Sequence, residues 1–71
     1  MRLINTYHRP LPSEERASSF ITAVLTQDGQ GNYAVYIGEG TDEWVLRNGF
    51  KLCYEEALHY FPMLEESEYR R

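Results

Sequence analysis

The run Phe20-Ile21-Thr22-Ala23-Val24-Leu25-Thr26-Gln27, then Asp28-Gly29-Gln30-Gly31-Asn32, then Tyr33-Ala34-Val35-Tyr36-Ile37-Gly38 decides the fold. Two β-prone segments flank five residues of turn chemistry, the pattern of a hairpin with a five-residue loop. A competing register exists in the first segment. Ala17, Phe20, Ile21, Val24 and Leu25 fall at i, i+3, i+4, i+7 and i+8, which is a helix stripe that Ser13 would cap. The strand is preferred because Ile21, Thr22, Val24 and Thr26 are β-branched and lose side-chain freedom in a helix.

Working outward, Thr41 to Gly49 reads as a two-turn helix: Thr41 as N-cap, Asp42 and Glu43 in the first turn, Arg47 in the last and Gly49 just beyond, with a strand as the alternative. Tyr54, Ala57, Leu58 and Phe61 repeat at i, i+3, i+4 and i+7, and Pro62 stops that helix. Leu58 lies at the centre of the stripe. Cys53 occupies the N-cap position, with Leu52 before it and Glu56 three residues later. Toward the N-terminus, Leu3 to Tyr7 alternates weakly and adds an edge strand. Residues 1–12 form an arm set off by Pro10 and Pro12, and residues 65–71 form a charged tail. The expected architecture is a single α+β domain over residues 1–71, a hairpin or three-stranded antiparallel sheet packed against two short C-terminal helices. Its core draws Ile21, Ala23, Leu25, Tyr33, Val35 and Ile37 from one sheet face. That arrangement leaves Phe20, Val24 and Tyr36 on the opposite face.

With 71 residues, the chain is short enough that its core must be economical, and 42% apolar content is that of a globular domain. Cys53 is the only cysteine, so no internal disulfide forms and a reducing, cytoplasmic setting is expected. The longest uncharged stretch, Ala17 to Gln27, is far short of the roughly 20 apolar residues that cross a bilayer. Met1 to His8 lacks the apolar core of a secretory signal. The net charge is −4 and the seven basic residues are scattered, which disfavours duplex nucleic acid and anionic membranes, since both require clustered cations.

No catalytic, cofactor or metal site is expected. The two G-x-G pairs, Gly29-Gln30-Gly31 and Gly38-Glu39-Gly40, lack a third glycine, and Glu39, Asp42 and Glu43 put negative charge where a phosphate would sit. They are read as turns that need positive φ. Glu55 and His59 are i, i+4 neighbours that form a metal site only if His8 joins them, and a surface ion pair is the plainer role. Nucleophilic chemistry at Cys53 lacks a base: His59 falls on another helix face, His8 is distant in sequence, and Glu55 and Glu56 place negative charge beside the sulfur.

The surplus is aromatic. Six tyrosines and Trp44 exceed what so small a core encloses, so some are exposed, and such rings anchor protein interfaces. The plainer reading is that amphipathic rings shield the core with their hydroxyls in water. The expected function is that of a non-enzymatic accessory or regulatory module that binds another protein or, weakly, a second copy of itself. That self-association would run through the sheet edge or the Phe20, Val24 and Tyr36 face. The candidate surface is Phe20, Val24, Tyr36 and Trp44. The alternative is a single-stranded nucleic-acid binder using Phe20, Tyr36 and nearby arginines on an open sheet face. A small enzyme built on Cys53 or His8 ranks last.

Overall fold

The computed structural model describes residues 1–10 and 20–66. Four strands, β1 (Arg2–Pro10), β2 (Phe20–Gln27), β3 (Tyr33–Glu39) and β4 (Phe50–Lys51), form one antiparallel sheet in the order β1-β2-β3-β4. Helix α1 (Asp42–Asn48) lies between β3 and β4. Helix α2 (Tyr54–Tyr60) and a short 3-10 helix (Pro62–Glu66) follow. The hairpin, both helices and their order are those expected. The sheet has a fourth strand where three were expected, and the N-terminal arm is a nine-residue strand rather than a five-residue one. Pro12, Ser13 and Ala17, invoked for the boundary of the arm and for the competing helix, and residues 67–71 of the tail lie outside the described residues.

The hairpin loop is built by Asp28. Its Oδ1 accepts the Gln30 N–H at 2.8 Å and the Asn32 N–H at 3.0 Å, while its own N–H donates to the Asn32 carbonyl. That is the local bonding that lets Asp close a turn on itself. Of each G-x-G pair only the second glycine, Gly31 (φ 87°) and Gly40 (φ 125°), has the positive φ expected of both. The turn fixes the pairing of Thr22 with Gly38, Ala23 with Ile37 and Leu25 with Val35.

Because side chains alternate across a strand, this register sorts the sheet into two faces. On one, Ala23, Leu25 and Val35 are fully buried against Ala57, Phe61 and Leu64 of the α2 end, with Ile4, Tyr7 and Ile37 packed at the margin. The Tyr7 and Tyr60 rings meet edge to face, centroids 5.3 Å apart. An irregularity in the β1–β2 register between Leu3 and Asn5 marks Ile4 as the extra residue, and Ile4 packs against this core. Leu64, just past the proline expected to end the helical region, completes the cluster. Leu58, expected at the centre of the helix stripe, is only half-buried.

The opposite face carries His8, Thr22 and Gly38 in one transverse row and Thr6, Val24, Tyr36 and Lys51 in the next. Here α1 sits, so the two helices cover opposite faces of the sheet instead of sharing one. A Cβ at Gly38 would touch Trp44 and Val45, each at 3.4 Å. Val24 and Val45 are fully buried. The buried hydroxyls of Thr22 and Thr26 donate to the Gly40 carbonyl (2.7 Å) and the Ala34 carbonyl (3.0 Å). An unmet buried hydroxyl would cost about 1–3 kcal/mol. Thr41 caps α1 as expected, its hydroxyl accepting the Trp44 N–H at 3.2 Å. Gly49 ends α1 without positive φ (φ −71°). Its requirement for glycine comes from close approach to Val45 and Ile37.

Candidate functional site

The candidate surface divides once placed on this fold. Val24 is fully buried in the central strand and contributes nothing to a surface, and Tyr36 is half-buried beside it. Both were expected on an exposed face, but α1 lies on that face. Phe20 and Trp44 are accessible, 39% and 50% exposed.

These two rings belong to one end of the sheet. The Gly40 N–H donates to the Phe20 carbonyl at 3.3 Å, which extends the β2–β3 ladder to that pair, and Pro10 pairs with Phe20 from the other side. The Trp44 side chain passes over Gly38 and Gly40: Cζ3 stands 3.4 Å from a Cβ built on Gly38, and Cβ and Cε3 stand 3.9 Å from one built on Gly40. The absent side chains leave room for an indole to lie against the backbone with much of its surface still in water. Beside it, Thr41, Glu43, Arg47 and Asn48 line an open depression of about 300 Å³. Glu43 and Arg47 form an exposed i, i+4 ion pair at 3.5 Å, and the Asn48 side-chain amide donates to the Trp44 carbonyl. An aromatic centre with a polar, charged rim is the usual anatomy of a small protein-binding patch.

His8 and Cys53 fall far from chemistry with each other. His8 Nε2 lies 2.7 Å from Asp42 Oδ1, a bond that ties β1 to the start of α1 on the Trp44 side, whereas His59 belongs to α2 on the opposite side. His8 therefore does not join Glu55 and His59. Among the described residues no three His, Cys, Asp or Glu side chains come together in a metal-holding group. Cys53 is exposed and holds the N-cap position of α2 without an accepted N–H bond; its thiol donates to Glu56 Oε1 at 3.3 Å. Glu56 has the N3 spacing of a capping box, but the N-cap is a cysteine and the carboxylate bonds its sulfur.

Exposed apolar side chains beyond the expected surface include Phe50 and Met63. Phe50, 78% exposed, stands on β4 opposite Ile37, and Met63 is 48% exposed after Pro62. Neither lies in an element the residue pattern marked, since β4 is two residues long and the 3-10 helix begins at the proline. No helix among the described residues is long and apolar enough to cross a membrane. Comparison of the chain with protein-family models, curated proteins and solved structures finds no match.

Proposed function

We propose that this chain is a non-enzymatic protein-binding module of a reducing, cytoplasmic setting, and that its contact surface is centred on Trp44 with Phe20 beside it. The observation that carries this reading is the half-exposed Trp44 indole seated over Gly38 and Gly40. An indole in water forgoes much of the roughly 25 cal/mol per Å² that burial of its surface would return. A partner that covers it recovers that energy at little entropic cost, because a ring already packed on backbone has few rotamers to lose. The Thr41, Glu43, Arg47 and Asn48 rim supplies polar groups for register.

The nucleic-acid alternative needs an open aromatic sheet face with arginines around it. Here α1 lies on that face, Tyr36 is half-buried, and Arg47 is engaged with Glu43. The net charge of −4 opposes it further.

The reading is tested by affinity capture from the source organism, with quantitative mass spectrometry, using the original chain, Trp44→Ala and, as a control on the other side of the sheet, Glu55→Ala. A partner retained by the original and by Glu55→Ala but lost with a folded Trp44→Ala is the expected result. Identical recoveries for all three would overturn the assignment of this surface.

A further inference from the structure

Among the described residues the strand order leaves β1 at an edge, and a nine-residue edge strand is a template on which another strand can add. Which of its backbone groups face outward follows from the ladder. Successive residues of an antiparallel strand point their N–H and C=O to opposite sides. The Val35 carbonyl accepts the Leu52 N–H at 2.9 Å, so odd-numbered residues of β3 face β4 and even-numbered ones face β2; the Gly40-to-Phe20 bond agrees. Carried through the register, Ala23 and Ile21 face β1, Tyr7 and Arg9 face back toward β2, and Thr6, His8 and Pro10 face outward.

Two of those three outward positions offer no N–H to an added strand. The Thr6 N–H already donates to Asn5 Oδ1 at 2.9 Å, and Pro10 has no N–H to give. The irregularity at Ile4 breaks the ladder on the other side of Thr6. A second β1 aligned antiparallel with Thr6 opposite His8 loses the bonds that the Thr6 N–H would donate. Aligned with His8 opposite His8, it keeps the His8 bonds, but the flanking Thr6 and Pro10 positions donate nothing. We infer that Asn5 and Pro10 hold the β1 edge closed against strand addition by a second copy of this chain. This device is independent of the Trp44 surface: one prevents a wrong contact, and the other makes a contact.

The test compares the original chain with Asn5→Ala and with Asn5→Ala/Pro10→Thr. Against the weak self-association through the sheet edge expected from the sequence, sedimentation equilibrium is expected to show a monomer for the original and self-association tightened roughly tenfold or more for the double variant, because donors are restored in both copies. In the monomer, the Thr6 amide is expected to exchange with solvent more slowly than the His8 amide, and Asn5→Ala is expected to remove that difference. A folded double variant that stays monomeric would overturn the inference, as would an original chain whose His8 amide becomes protected as concentration rises. If the double variant fails to fold, the exchange measurement on Asn5→Ala decides: equal Thr6 exchange in the original and the variant refutes the lock, and faster exchange in the variant supports it.

Discussion

Replacing Gly49 with alanine tests how α1 is held on the sheet. Gly49 has φ −71° and ψ 172°, an extended conformation open to any residue, so the backbone itself presents no barrier to alanine. The space does. A Cβ there would stand 2.6 Å from the Val45 carbonyl oxygen, 2.8 Å from the Ile37 carbonyl oxygen and 2.8 Å from Val45 Cγ1. Two of these neighbours are backbone atoms, one in α1 and one in β3, and neither swings away. The helix must lift from the sheet, a form of overpacking that costs roughly 1–3 kcal/mol. Stiffening of the unfolded chain returns about 0.4–1 kcal/mol. The expected net loss is thus about 1–2 kcal/mol, or roughly 5–15 °C in Tm for a domain this small. Gly38→Ala is the matched control. Its Cβ would meet Trp44 and Val45 at 3.4 Å, an ordinary contact, so its stability should be unchanged or raised by up to about 1 kcal/mol. Urea and thermal melts of the three proteins, with circular dichroism to verify the fold, make the comparison. A Gly49→Ala protein within about 0.5 kcal/mol of the original would refute the close approach of α1 to the sheet.

Leu64→Ala should cost about 2–5 kcal/mol and Leu58→Ala distinctly less, because Leu64 is fully buried and Leu58 half-buried; equal losses in urea melts would show the 3-10 helix to be misplaced. Thr41→Ala removes the acceptor for the Trp44 N–H and is expected to lose about 1 kcal/mol, read in the same melts. Cys53→Ser puts a better acceptor at the α2 N-cap, whose φ and ψ already suit it, and should gain up to about 1 kcal/mol; destabilisation would mean the thiol-to-Glu56 bond matters more than the cap.

The elements legible in the sequence are those whose signals are local. Asp28 with Gly31 made the hairpin, Thr41 with its following acids made α1, and the Tyr54, Ala57, Phe61 spacing made α2. The ambiguity in residues 20–26 has a physical origin: Thr22 to Thr26 are buried on both faces of a central strand, so they lack strand alternation. The placement of α1 depends on tertiary geometry. Gly38 and Gly49 let it approach the sheet, and no local pattern distinguishes a glycine that admits a helix from one that makes a turn. That placement buried Val24 and half-buried Tyr36 while leaving Trp44 in water. Leu64 was missed because Pro62 ends the α-helical pattern without ending the core. β4 is too short to show alternation.

Trp44 is the only tryptophan, so its fluorescence reports the proposed contact without labelling. Its emission and its quenching by acrylamide should be measured in the free chain and again as the partner identified by capture is added. A half-exposed indole that becomes covered gives emission shifted to shorter wavelength and a lower quenching constant, both saturating with the binding isotherm. A partner that binds, shown by an independent signal such as heat or mass, while Trp44 emission and quenching stay at their free values would contradict the proposed contact surface.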